Sequence, residues 1–142
     1  MRGLLTGFLC VLASPALAAQ PDAARPGGGV ITVGDWTFIG NSDTTVMFFK
    51  PVAAGGLYPR VMVRFEDGEP FTRENFTSLA ALEVDDIDCA RRRTRIISSV
   101  RYTQHNLTGE SRPDAIDPTA WKSEAAGSFG AGLIAKVCAT LQ

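Results

Sequence analysis

The sequence predicts an α+β fold: an antiparallel β-sheet of about five to six strands packed against one C-terminal α-helix, with a disulfide joining helix and sheet. Three observations predict it. Between Val30 and Gln104 the chain runs through short segments rich in β-branched and aromatic residues, punctuated by glycine, proline and acidic clusters. After Ser128, a suitable N-cap, Phe129, Leu133, Ile134, Val137, Cys138 and Leu141 fall at helical spacings and form one apolar stripe. Finally, Cys89 ends a strand-like segment while Cys138 lies on that stripe, so a bond between them would fasten helix to sheet.

The ends of the chain set the context. Residues 1–18 carry Arg2, an apolar run from Leu4 to Leu12 and the triplet Ala16-Leu17-Ala18, the pattern of a secretory signal peptide cut after Ala18. The run is broken by Gly7, Ser14 and Pro15 and is short of the roughly 20 apolar residues a membrane-spanning helix needs. Cys10 lacks the small residues that precede a lipid-modified cysteine. Residues 19–29, AQPDAARPGGG, predict a flexible leader. The expected organisation is therefore signal peptide 1–18, leader 19–29 and a single domain over 30–142, exported to the periplasm or the cell surface. Of the three cysteines, cleavage leaves only Cys89 and Cys138, which in an oxidising compartment read as one disulfide. It would close a loop of about 50 residues, for which chain entropy gives ~4 kcal/mol.

Within the domain, residues 30–39 (VITVGDWTFI) read as one or two strand pieces joined near Gly34-Asp35, with Trp36 on the apolar parity. TTVMFFK (44–50) and PRVMVRF (59–65) read as a hairpin turned at Gly55-Gly56, and EDGEP (66–70) opens a polar loop reaching about Thr77. SLAALEVDDIDC (78–89) is mixed in propensity and is read as a strand. In 91–104, strict alternation puts Thr94, Ile96, Ser98, Val100 and Tyr102 on one face. Arg93, Arg95, Ile97, Ser99 and Arg101 take the other, outward face. Residues 105–127 read as a long loop pinned by Trp121, so Trp36 and Trp121 are the expected core anchors.

No reaction chemistry is spelled out. Asp85, Asp86 and Asp88 lack the glycine turn and closing glutamate of a calcium loop, and no metal ligand set is assigned. His105, the single histidine, has no nucleophile motif to serve and reads as an exposed loop residue. The glycines at 27–29 and 127–132 lack the strand-to-helix context of a phosphate cradle, and no cofactor is expected. Asn75 and Asn106 begin sequons that matter only in a eukaryotic pathway, whereas the signal peptide looks bacterial. Without the signal peptide the chain holds 13 basic and 15 acidic residues. That balance argues against nucleic acid or an anionic membrane as the principal partner. The arginines Arg91, Arg92, Arg93, Arg95 and Arg101 are the candidate binding residues, suited to bidentate contact with an acidic protein or envelope component.

The order of landmarks resembles the surface-adhesin protein E family. They are Trp36-x-x-Ile39-Gly40, Ile87-Asp88-Cys89 followed by an arginine-rich strand ending near Tyr102, Trp121 in the next loop, and a last helix carrying Cys138. The resemblance covers Trp36 to Cys138 and implies a sheet on one long helix, a disulfide between them, an envelope location, and a binding rather than enzymatic role such as adhesion or host-ligand binding. The competing reading is a small exported enzyme or inhibitor, which would require polar groups converging on a pocket around Asp85, Asp86 or His105.

Overall fold

The computed structural model describes residues 30–52 and 56–140. The expected signal peptide, the leader and Leu141 lie outside the described residues. Six strands form an antiparallel meander in chain order: β1 (Thr37–Asn41), β2 (Thr45–Pro51), β3 (Arg60–Arg73), β4 (Phe76–Asp88), β5 (Arg93–Gln104) and β6 (Thr108–Pro113). The two-residue β7 (Lys122–Ser123) pairs with Arg93 and Thr94 of β5, beside β6 on the same edge. The chain closes with α1 (Phe129–Ala139). The α+β sheet-and-helix fold expected from the sequence is the one observed.

The helix packs on one face of the sheet. Leu133, Ile134 and Val137 meet Met47, Phe49, Val61, Val63 and Ile87 in the main core, with Ile39, Phe65 and Phe129 at its margin. Ser128 caps the helix, its hydroxyl accepting from the Ala131 amide at 3.2 Å. Cys89 and Cys138 are joined, with Cα atoms 5.8 Å apart across 49 residues, fixing the far end of the helix to the end of β4. On the opposite face, which we call the far face, residues 30–36 fold over Val46 and Phe48. There Ile31 is buried and Val33, Trp36 and Phe38 pack beside it. Asn106 ties this segment down by accepting from the Thr32 amide at 2.8 Å and donating to the Val30 carbonyl at 2.8 Å.

Three expectations change. The polar loop over 66–77 is instead the continuation of β3 into β4, turned at Glu74-Asn75 with both φ angles positive. A register shift between Glu66 and Phe71 accommodates Gly68 and Pro70 within the strand. The loop after His105 contains β6, whose Gly-Glu-Ser-Arg sequence gives no apolar alternation because most of this edge strand is exposed.

The third change decides where the arginines point. Val84 pairs with Ser98 but Asp85 pairs with Ile96, so Ile97 is an extra residue in β5. One inserted residue inverts the parity between the two sides of the bulge. Arg93 and Arg95 therefore share the far face with Ser98, Val100 and Tyr102. Arg101 moves to the helix face, opposite Ala81. The expectation that Arg101 points outward is thus overturned: its side chain is 4 % exposed, its Nε donates to Asp114 Oδ1 at 2.8 Å, and Nη1 donates to the Arg73 carbonyl at 3.1 Å.

The disulfide and the buried pair each carry a consequence for stability. Cys138→Ser should lower the free energy of unfolding by about 2–5 kcal/mol; two reactive thiols in the unfolded, unreduced protein would contradict the bond itself. Arg101→Ser should cost about 3–5 kcal/mol in denaturant titration, because it strands the buried Asp114 charge and the Arg73 carbonyl. A loss below about 0.5 kcal/mol, typical of a surface position, would show that Arg101 is not buried in a pair.

Candidate interaction surface

The end of the far face away from residues 30–36 is built by β3, β4 and β5 side by side. Their cross-strand partners Arg60, Asp86 and Arg95 lie in one row, with Asp88 and Arg93 in the next. Asp86 is nearly fully buried and takes a forked contact from Arg60, Nε to Oδ1 at 2.7 Å and Nη2 to Oδ2 at 3.1 Å. Arg95 Nη2 adds a bond to Oδ2 at 2.8 Å. Asp88, equally buried, accepts from Arg93 Nη2 at 2.8 Å and from the Arg91 amide at 3.0 Å. The Arg60 contacts, then the Arg95 contacts, hold the Asp86 carboxyl below its ordinary value. The Arg93 bond, followed by the Arg91 contacts, does the same for Asp88.

Aromatic rings complete the surface. Trp121, placed by the neighbouring β7, lies under both guanidiniums, with Arg95 4.7 Å and Arg93 5.1 Å from its ring centroid. Tyr58 meets Trp121 edge to face at 4.8 Å. Each guanidinium is thus held by a carboxylate on one side and a π face on the other, which fixes it in place at little further entropic cost on binding. Trp121 enters neither apolar cluster; it is half-buried as a platform for arginines. Trp36 packs half-buried against the Ile31–Val46–Phe48 cluster, with Arg64 above its ring.

The candidate arginines therefore separate. Arg93 and Arg95 are about three-quarters buried in pairs, Arg91 is 67 % exposed, Arg92 is exposed in the β4–β5 turn with φ at 53°, and Arg101 belongs to the other face. Arg60 and Tyr58 join the surface although nothing in their local sequence marked them, since only the β3–β4 register brings Arg60 to Asp86. Beside them is a cleft of about 390 Å³ lined by Val52, Leu57, Tyr58, Arg60 and Arg95, with Leu57 almost fully exposed.

His105 is not an exposed loop residue. Its Nδ1 lies 3.0 Å from Glu66 Oε2 on the far face, and the Asn106 amide donates to the same carboxylate at 2.9 Å. Glu66 also has Arg64 Nε at 3.3 Å, and burial pushes its carboxyl up against these partners. Asp85, by contrast, faces the helix side. Asp85 and the pair Asp86 and His105 are separated by the sheet.

A family model described as surface-adhesin protein E matches residues 36–139, from Trp36 through both disulfide cysteines to the end of the helix. Neither a curated protein nor a solved structure matches the chain. Family and disulfide both point to an exported protein, since such bonds persist in oxidising compartments. The match spans all six strands of the meander and the helix that covers them, and the chain belongs to the surface-adhesin protein E family.

Proposed function

We propose that this chain is a non-catalytic binding module of the cell envelope, whose contact surface is the arginine and aromatic end of the far face and whose partner presents carboxylates. One observation carries the reading. Four arginines, Arg60, Arg91, Arg93 and Arg95, pair with two carboxylates, Asp86 and Asp88, and Arg92 stands exposed in the adjoining turn, so these residues carry an excess of three positive charges on a chain that is negative overall. Such a local surplus attracts an acidic partner and orients it. The preorganised guanidiniums over Trp121 supply bidentate donors beside the Tyr58 ring, the residue types enriched at binding hot spots, and exposed Leu57 adds apolar contact.

The competing reading, a small enzyme or inhibitor working through polar loops, needs polar groups converging on a pocket around Asp85, Asp86 or His105. Asp86 is committed to two arginines and His105 to Glu66, while Asp85 lies across the sheet from both and borders a separate cleft with Glu83 and Glu124. The commitment of Asp86 and His105 to these partners favours binding by the arginine surface over chemistry at either of them.

The test uses immobilised polyglutamate as the acidic probe and heparin as an anionic control. Arg91→Ser with Arg92→Ser removes two exposed charges and should change stability by no more than about 0.5 kcal/mol. The doubly substituted protein should bind polyglutamate several-fold more weakly and with a shallower salt dependence. Unchanged affinity would place the contact elsewhere. Stronger binding to heparin than to polyglutamate would contradict a carboxylate-bearing partner.

A further inference from the structure

The helix face holds a second feature that the arginine surface does not use. Between the sheet, the N-terminus of α1 and residues 114–124 opens a cleft of about 550 Å³. Its walls include Phe65, Ile116 and Phe129, and its floor is β4, where Glu83 and Asp85 project side by side two residues apart. Glu124 closes one side. Its carboxylate accepts from Thr94 Oγ1 at 2.9 Å and from Ser128 Oγ at 3.3 Å, and a Cβ at Gly130 would collide with it, which explains the glycine in the first turn of the helix.

Glu83 and Asp85 differ from every acid described above. Among the described residues, no hydrogen bond or ion pair reaches either one. Asp85 is 6 % exposed, and its Oδ1 is buried without a partner. A buried carboxyl left unsatisfied costs on the order of 1–3 kcal/mol or more, so its retention requires a reason. The sequence supplies none through packing, since the neighbouring inward positions of β3, Val61 and Val63, are apolar.

We propose that this cleft binds an alkylammonium group, either a free aliphatic amine or the side chain of a lysine, with Glu83 and Asp85 as acceptors and Phe65, Ile116 and Phe129 around the alkyl stem. The chemistry of the lining selects this class. Among the described residues, no cluster of three metal-ligating side chains exists that could chelate an ion. A neutral apolar ligand would leave the buried Asp85 oxygen without a partner, and an anion would meet four acids, Glu83, Asp85, Asp117 and Glu124. Lys122, 76 % exposed at the rim and 3.4 Å from Glu124, already shows an ammonium drawn to this group of acids.

The cleft stores protons. Burial, then mutual repulsion with Asp114 or with the other acids, raises the Glu83 carboxyl to about 7 and the Asp85 carboxyl to about 8. The groups acting on Asp85 are Glu83, Glu124 and, from the far face, Asp86, which raise it, and Lys122, which lowers it; Asp114 and Lys122 act on Glu83 in the same opposed senses. Arg95 and Asp117 also line the cleft, and the first turn of α1 contributes no acid. An ammonium, with a pKa near 10.4 (about that of lysine), stays charged while these carboxyls ionise. Binding should therefore release protons and strengthen as pH rises through the two carboxyl values. The site lies on the opposite face from the arginine surface, and its test is independent of that reading.

The experiment titrates the mature chain with n-hexylammonium, n-hexanol and Nα-acetyl-lysine N-methylamide, followed by backbone amide shifts and by calorimetry in buffers of different ionisation enthalpy. Hexylammonium should bind at least tenfold more tightly than hexanol, perturb amides around Glu83, Asp85 and Phe129, and release protons. Asp85→Asn, and separately Glu83→Gln, should each weaken it at least tenfold; both keep side-chain shape and replace a proton-holding carboxyl by a neutral amide, so the fold survives in at least one. Comparable binding of the lysine amide assigns the site to a partner's lysine, and its failure beside hexylammonium binding assigns it to free amines. Equal binding of hexanol, affinity that neither substitution alters, or no amine binding at any pH would overturn the proposal.

Discussion

One helix has to cover a six-stranded sheet, and it is too short to do so. Eleven helical residues extend about 16 Å. Six strands about 4.8 Å apart span roughly 24 Å, and the 14 residues of β3 run to about 46 Å. Apolar side chains therefore fill the strip beneath α1, where Val61, Val63 and Ile87 meet Leu133, Ile134 and Val137, and a smaller far-face patch where Ile31 meets Val46 and Phe48. Beyond these two patches both faces carry buried charge pairs. Arg101 with Asp114 continues the helix face beyond the apolar strip, and Arg64, Glu66 and His105 do so on the far face beneath residues 30–36. Such pairs cost desolvation, which their geometry must offset. The disulfide matters for the same reason, because it holds a short helix with two glycines in its first turns over the one strip it can cover.

The same constraint sorts the acids of β4. Alternate residues of a strand point to opposite faces, so Asp86 and Asp88 meet the arginines of β3 and β5 while Glu83 and Asp85 enter the cleft left open near the helix N-terminus. Two adjacent aspartates thus live in opposite electrostatic environments. The far-face pair is satisfied and anchors a cationic surface. On the helix face Asp85 keeps a buried oxygen without a partner, and with Glu83 beside it the pair is suited to a cation.

Much of the architecture was legible in the sequence because it depends on local periodicity. Ser128 and the apolar stripe located the helix, the alternation of VMFF and VMVRF located β2 and β3, and two cysteines in an exported chain allowed one bond. What escaped notice depends on register or on polar strands. Ile97 looks like any other alternating residue, yet as the bulge it sends Arg101 inward and splits the arginines between faces. Glu74-Asn75 is an ordinary polar pair until both adopt left-handed φ angles and fold β3 onto β4. Arg60 joins Asp86, and Thr94 meets Glu124, only through contacts between residues distant in sequence. Candidate site residues therefore could be named by type but not assigned to a face.

The two faces of β4 thus impose opposite protonation on neighbouring carboxyls, and carbon-detected NMR titration of the side-chain carboxyls measures this directly. Glu83 should titrate at about 7 and Asp85 at about 8, while Asp86 and Asp88 titrate below the usual aspartate range. Stability responds with opposite signs on the two faces. The helix-face acids favour the folded state below their unfolded values, and that contribution is lost as pH rises through 7 and 8, whereas the far-face acids stabilise above their unfolded values and lose that contribution on acidification. Asp85 and Asp86 titrating together in the ordinary range would contradict both the buried, partnerless cleft and the paired arginine surface.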